Sequence, residues 1–595
     1  MGRLATWTII FSSFIVAGST GYYFGLILPS EISSPKTSAS MANLTPELAQ
    51  KPLAIVVPHH NLVAEQRAEL FSAAAVRTQP QTIIVLSPNH FSTGKAGILT
   101  TDKTWTLNNS TNTIEPDQSL IQTLIEANVV TIDSSVFNNE HGVSNLLRDI
   151  RNYFPEAQLV PIIFRDTTSA DAVEQLMATL NTACADSCGV IASVDMSHYL
   201  PAAVANIHDQ TTLRVLTEQD QNAVWQIEVD SQPSLFALME WAKLESLPEF
   251  VQFNHTNSGT LVGDTEGETT SHIFGYYQAK TATEKPTNSN DFIEPAMTFT
   301  FAGDAMLGRE IGYQFQNDNY KELFSNLGNR VFWGTDISWL NLEGPVSDQT
   351  ITQERQPDNL SFLFSRESIA ALKYLKVTTV GLANNHTANH GQSGLVTTRQ
   401  LLDEAAIDWV GDPAGINDTS VKRYDRGGII ISLIAVNVFD GDISGLTDLI
   451  KTESTAGRFV IVLPHWGNEY QTTHSSKQEQ LATDWVTTGA NLIIGMHPHV
   501  VQDAQVITAT NGAKTLVLYS LGNFVFDQSF SQETQQGLLV AGSISDSQLQ
   551  VVLQPLVSNH LKPELARGAT KQIIIDRICS NIQAYCKAGV VTVPR

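Results

Sequence analysis

The chain has 595 residues, with 35 basic against 60 acidic side chains, a formal net charge of −25 and 42% hydrophobic content. That length exceeds what one core fills and predicts more than one domain, while the ordinary apolar fraction excludes a chain that is disordered throughout. The acidic balance argues against nucleic acid as a partner, because such binding depends on neutralising phosphates with Lys and Arg.

The first element is a targeting signal. After Met1-Gly2-Arg3, residues Leu4 to Leu28 carry no charge, long enough for the ~20 apolar residues that cross a bilayer. Arg3 on the N-terminal flank predicts a cytoplasmic N-terminus and an exported body. The competing reading is a cleaved signal peptide with Ala17-Gly18-Ser19 near the cleavage point. The expectation is a transmembrane helix over residues 1–30, a membrane partner, a single-pass cell-membrane location and two extracytoplasmic domains. Residues 31–50, rich in Ser, Pro and Thr, read as a linker. The four cysteines fall into two close pairs, Cys184 with Cys188 and Cys579 with Cys586. In an exported protein such pairs predict local disulfides; four free thiols are the alternative.

Two segments of similar size follow, residues 51–280 and 296–560, joined by the linker TATEKPTNSNDFIEP over 281–295 and trailed by a tail, 561–595. Both alternate short β-branched runs with amphipathic stretches, as in α/β sheets whose strands are buried on both faces. In the first segment the runs are LAIVVPHH, QTIIVLSPNH, QLVPIIF and GVIASVDMSHY. In the second they include MTFTFAGDAM, ISWLNLEGP, VTTVGLANNH, FVIVLPHWG, NLIIGMHPH and TLVLYSLGNF. Metal-binding residue types sit just past these runs, where open α/β sheets bind ligands. One site in each half is therefore predicted.

The first half carries VPHH at Val57–His60, LSPNHF at Leu86–Phe91, Glu140-His141 and VDMSHY at Val194–Tyr199. On these motifs it resembles the Memo family, the B component of the AmmeMemoRadiSam grouping, itself similar to class III extradiol dioxygenases. The resemblance implies an α/β domain with His59 and His90 as metal ligands and Asp195 and His198 beside the metal or as acid/base groups. Two imidazoles with a third donor make an iron- or copper-type site. The third donor is open: the late cysteine of some members is missing from FNHTNSGT, where His255 lies nearby. Pro58-His59-His60-Asn61-Leu62 stands in place of the family's PHAGY, and Glu140-His141-Gly142-Val143-Ser144 lacks a second carboxylate.

In the second half six strand-end motifs concentrate Asp, Glu, Asn and His: Gly303-Asp304, Asn341-Leu342-Glu343-Gly344, Asn384-Asn385-His386, His465-Trp466-Gly467, His497-Pro498-His499 and Gly522-Asn523. Carboxylate, imidazole and amide oxygen donors converging from several strands suit a pair of divalent ions. His497 and His499, two apart, would face the same way on an extended segment. Over residues 297–556, GDAMLGR, NLEGP, ANNH, LPHWGNEY, GANLIIGMHPHVVQ and YSLGNFVFDQ resemble the CapA family of poly-gamma-glutamate capsule synthesis, a branch of the calcineurin-like metallophosphatases. The resemblance implies a four-layered α/β/β/α domain. It further implies Asp304 on a first metal, Glu343 as bridge, Asn385 and His465 on a second, His386 as catalytic acid, and His497 and His499 completing both. Manganese, iron or zinc fits these donors. Asp304-Ala305-Met306 lacks the histidine of the usual D-x-H motif, and Asn389 stands where such chains tend to carry Asp.

The function these features imply is metal-dependent hydrolysis or processing of an envelope polymer such as poly-gamma-glutamate. The contrasting readings are a non-catalytic envelope binding or export scaffold, and a redox metalloenzyme working through the first half.

Overall fold

The computed structural model describes residues 53–107, 112–184, 187–280, 293–316, 319–328, 330–352, 354–355, 360–426 and 428–595. In the first half, Leu53–Val57, Thr82–Pro88, Gln158–Phe164 and Cys188–Ser193 pair in parallel at the centre of a nine-stranded sheet, flanked by the antiparallel pair Glu249–Asn257 and Thr269–Gln278. Alternate residues of each central strand enter opposite cores, as the two-residue period of a strand requires. Ile55, Val57, Ile83 and Val85 meet Leu70 and Phe71 of the helix Ala64–Arg77. Ala54, Val56, Ile84 and Leu86 meet Leu176 and Leu235 of the helices Ala170–Cys184 and Gln232–Leu244. Burial on both faces is why these runs are nearly free of polar residues.

The second half is a sandwich of two sheets. The first runs Asp408–Val410, Thr379–Gly381, Ile337–Leu342, Met297–Ala305, Gln536–Ile544, Gln548–Asn559 and Val590–Pro594 in spatial order. The second runs Val421–Arg426, Ile429–Asn437, Phe459–His465, Leu492–Ile494, Lys514–Leu518 and Ala504–Thr508. Phe299, Phe301 and Trp339 meet Leu433, Ile461 and Leu518 between the sheets. Leu342 packs outward with Leu372, Leu395 and Leu402 from helices, and Val462 with Ile450 and Trp485, so helices cover both outer faces. Residues 562–594 belong to this body: Val590–Pro594 extends the first sheet, and Ile574 and Ile578 join the inter-sheet core.

The halves meet along the helix Ala202–Glu218. Its Val204 and Ile207 pack with Ala541 and Val552 on the outer side of the first sheet, its Thr211 hydroxyl bonds that of Thr298, and its Arg214 pairs with Asp336.

The membrane-spanning helix and single-pass location expected from residues 1–30 are corrected. Among the described residues no helix is long and apolar enough to cross a membrane. The longest, Ala202–Glu218, has 17 residues and carries Asp209, Arg214 and Glu218. Residues 1–30, which carried that expectation, lie outside the described residues. What the chain holds is mixed α/β in both halves.

Both expected disulfides are present, Cys184–Cys188 and Cys579–Cys586, with Cα atoms 5.5 and 5.8 Å apart. The second ties the helix Gly568–Cys579 to the strand Cys586–Lys587. On the loop-entropy model its short loop contributes about 2.5 kcal/mol. Replacing both Cys579 and Cys586 with Ser should therefore lower the urea midpoint; an unmoved midpoint would contradict it.

Candidate metal centre

Every second-half candidate stands at or just past the end of a strand. Asp304 closes Met297–Ala305, Glu343 follows Ile337–Leu342, Asn385 and His386 follow Thr379–Gly381, His465 ends Phe459–His465, and His497 and His499 follow Leu492–Ile494. Parallel strands deliver their carboxyl ends to one edge, so two sheets present these groups to one another. Gly303 permits the closest approach: a Cβ there would lie 1.9 Å from the Gly522 carbonyl, which accepts from the Asp304 N–H at 3.0 Å.

The result is one connected cluster. Ligand atoms of Asp304, Glu343 and His499 lie within 4.8 Å of one another. Asp304 Oδ2 is 3.5 Å from His499 Nδ1, and Glu343 Oε1 is 3.7 Å from His499 Nε2. His465 Nε2 stands 2.8 Å from Asn385 Oδ1 and 3.1 Å from His497 Nδ1. Asn341 Nδ2 donates to Asp304 Oδ1 at 2.8 Å, and Asn384 Nδ2 donates to Asn341 Oδ1 at 3.0 Å, so two amides brace the acid. The extended geometry expected for His497 and His499 is corrected: both adopt left-handed backbone, φ +96° and +57°. Such strain costs of order 1–3 kcal/mol per residue and persists where surrounding structure imposes it.

His386 sits at the edge, half-buried, its ring stacked on Phe362 with centroids 4.0 Å apart. Asn389 Oδ1 accepts from the Phe362 N–H at 2.8 Å and lies 3.0 Å from His386 Nδ1. That oxygen can only accept, so Nδ1 carries the hydrogen and the ring's lone pair is on Nε2. Asn389 thus orients the ring as an Asp would, without the charge.

The electrostatics fit a cation. Burial pushes the Asp304 carboxyl up to about 7 and Glu343 well above its usual range, the latter raised further by Asp304 and Glu469. Burial also pushes His497 down to about 4, His499 to about 3 and His465 well below its ordinary value. Both Glu343 oxygens and His497 Nε2 are buried with no hydrogen-bond partner. Orphaned donors of the right types, facing one another, are what a divalent ion satisfies. Glu469, exposed and grouped with His497 and His499, adds a carboxylate that strand-end reasoning missed. It lies four residues past His465 in LPHWGNEY, the only signal it leaves.

In the first half His59 follows Leu53–Val57, His90 follows Thr82–Pro88 and Asp195 follows Cys188–Ser193. His59 Nε2 is 3.3 Å from Asp195 Oδ2, and ligand atoms of His59, His90 and His141 lie within 4.8 Å of one another. Burial pushes His59 down to about 4. His198 lies outside both first-half ligand groups, and its backbone N–H donates to Glu228 at 3.2 Å. His255 is held by Asp209 at 2.7 Å.

Comparison with known proteins agrees with this division. The model of "Bacterial capsule synthesis protein PGA_cap" matches residues 298–528, and that of "Memo-like protein" matches residues 33–273. Two families match, one in each half. The PGA biosynthesis protein CapA of Bacillus subtilis is 27% identical over 265 residues, covering 42% of this chain and 68% of that protein. The capsule biosynthesis protein CapA of Bacillus anthracis is 29% identical over 282 residues, covering 42% of this chain and 64% of that protein. A MEMO1 family protein of Pyrobaculum arsenaticum is 27% identical over 187 residues, covering 31% of this chain and 66% of that protein. The chain thus spans about two thirds of the length of these relatives. Within the C-terminal half, Met306 is fully buried, and its sulfur accepts from the Gly308 N–H at 3.2 Å.

Proposed function

We propose that the capsule-synthesis half is a metal-dependent hydrolase that cuts or transfers an envelope polymer, with a poly-gamma-glutamate-type amide as the leading substrate. The observation that carries this reading is Glu343: a fully buried carboxylate with neither oxygen hydrogen-bonded, beside Asp304 and His499. Asp304, Glu343, Asn385, His465, His497 and His499 would hold divalent ions, with Glu469 available to the outermost. When bound, such ions supply positive charge that polarises the scissile bond and acidifies a water. Glu343, beside Asp304 and His499, would offset that charge, Asn341 and Asn384 fix the direction of Asp304, and His386 Nε2 moves the proton at the leaving group. The second reading, a polymer-binding scaffold, draws on the buried Met306 in place of a ligand.

Cation uptake should be governed by the carboxyls. A carboxyl raised to about 7 is protonated below that pH and must lose its proton to bind an ion, so uptake weakens as pH falls through 7. His497 and His499, neutral down to about 4 and 3, contribute nothing to that dependence between pH 5 and 8. Calorimetric titration with Mn²⁺ should release more protons at pH 6 than at pH 8. Glu343→Gln should weaken uptake by more than the ~10–100-fold that follows loss of a mere supporting partner. Equal uptake by both proteins, with no proton release, would overturn the site.

A further inference from the structure

We infer that the C-terminal centre seats its substrate chain on exposed aromatic side chains, Phe439 at His497 and Tyr470 with Phe530 at His499. These rings take the methylene and amide backbone of a γ-linked polyamide. The inference rests on the hydrolase reading of that centre and names what recognises the chain there. Phe439, Tyr470 and Phe530 are 53%, 42% and 65% exposed.

Phe439 lies just past the strand Ile429–Asn437, and its ring centroid is 4.3 Å from that of His497. Its N–H donates to the His465 carbonyl at 3.1 Å, as does that of Val438 at 3.0 Å, so the loop carrying the ring is fastened to a candidate ligand. The Tyr470 N–H donates to the carbonyl of Pro498, between His497 and His499, at 2.8 Å. Its ring lies 6.3 Å from that of His499, with the two planes 29° apart. Phe530 stands edge-on to Tyr470 at 4.9 Å, an arrangement that paired rings prefer. Tyr470 also adopts left-handed backbone, φ +64°, which a side chain other than glycine holds only where its surroundings impose it. Single exposed rings are ordinary on a protein surface. Three gathered at one buried polar centre, two of them fastened to its ligand loops, form the apolar rim that ligand grooves carry.

The polar side chains beside the rings decide what they take. Asn437 donates to the Pro413 carbonyl and to Asp440, and accepts from the Phe439 and Asp440 N–H groups. Gln528 accepts from Asn523 at 3.2 Å and donates to the Tyr470 hydroxyl at 3.4 Å. Both amides are engaged inside the protein, whereas a sugar ring stacked here would need them for its hydroxyls. Arg309, which stacks on Phe362 beside His386, is bonded to Asp527 at 3.0 Å, and Glu469 at the mouth is itself acidic. In a chain of net charge −25, this pattern does not favour holding a polymer by its carboxylates. Apolar area remains, and it suits a chain with methylene groups in its backbone. A γ-linked glutamate repeat places its methylenes in the main chain and its carboxylate on a side arm. An α-linked repeat carries the same charge with no methylene in the main chain.

The test uses the full chain loaded with Mn²⁺ and short oligomers of γ-linked glutamate, α-linked glutamate and a neutral glucan. Binding is read by calorimetry and cleavage, in separate runs, by release of new chain ends. Phe439→Ala and Phe530→Ala should each weaken binding of the γ-linked oligomer about 10-fold, with Mn²⁺ uptake and the far-ultraviolet spectrum unchanged. Phe439→Tyr should keep the wild-type affinity. In cleavage runs the alanine changes should raise KM and leave kcat alone, as loss of uniform binding does. The γ-linked oligomer should bind about 10-fold more tightly than the α-linked one, the worth of burying its main-chain methylenes. Unchanged affinity in both alanine variants, equal binding of the two glutamate oligomers, tighter binding of the glucan, or no binding of the γ-linked oligomer would each overturn the inference; cleavage that persists beside any of these leaves the hydrolase reading standing. Ring-dependent binding of the γ-linked oligomer with no cleavage of any oligomer would instead remove the hydrolase reading and keep the aromatic subsites.

Discussion

His386→Ala is expected to leave cation uptake intact and to slow turnover by the ~10²–10⁴-fold typical of a proton-transferring group. The separation follows from the geometry. His386 lies outside the two second-half groups of ligand atoms, and its Nδ1 is committed to Asn389. Burial holds its pKa below the ordinary imidazole value. The free protein therefore carries it neutral at pH 7, so Nε2 first takes a proton from the attacking water and then gives it to the leaving group. Rates would be read on poly-gamma-glutamate and on a generic phosphodiester, each with added Mn²⁺ or Zn²⁺. Asn389→Asp should raise the imidazole pKa and move the pH–rate profile upward, a change that a structural role for His386 would not produce. Identical rates for wild type and His386→Ala on every substrate, with cation still bound, would sink the hydrolase reading and leave the scaffold.

Arg214→Ala should be the most damaging single change away from either centre, costing about 3–5 kcal/mol. Arg214 and Asp336 are each 4% exposed, and their ion pair crosses from the N-terminal half to the C-terminal half. Removing the cation strands a buried carboxylate, because Arg426 is 4.0 Å away and itself 40% exposed. The Thr298 N–H still donates to Asp336 at 2.9 Å, which softens the loss without cancelling it. Adding Asp336→Asn should recover part of the stability by removing the stranded charge. Guanidinium unfolding followed by fluorescence reads both variants; a loss under about 1 kcal/mol would mean that water reaches the pair.

The legible parts of the molecule share a cause. LAIVV, TIIVLSP and FVIVLPH announced strands because each is buried on both faces, which forces near-continuous apolar composition. The cysteine pairs were readable because their partners are four and seven residues apart. The strand-end polar groups stood out because they interrupt those runs, and the structure gathers them at one edge. The left-handed turns at His497 and His499 were not readable, since nothing in HPH marks a positive φ at non-glycine positions. Asp230 was missed for a different reason: it follows no strand, and only the path of the chain back to the sheet sets it beside His59 and His90.

Sequence by itself determined the α/β character of both halves, the strand ends that carry the candidate ligands and the local disulfides, because each is written in residues adjacent or nearly adjacent along the chain. Tertiary structure alone decided that Glu469 stands with His497 and His499, that Asp230 stands beside His59 and that Asn341 and Asn384 brace Asp304. It also decided that the helix Ala202–Glu218 locks one half against the other through Arg214 and Asp336. Those relations depend on distances between segments far apart in sequence, and a hydrogen bond or a ligand set is defined by a few ångströms that no local pattern encodes.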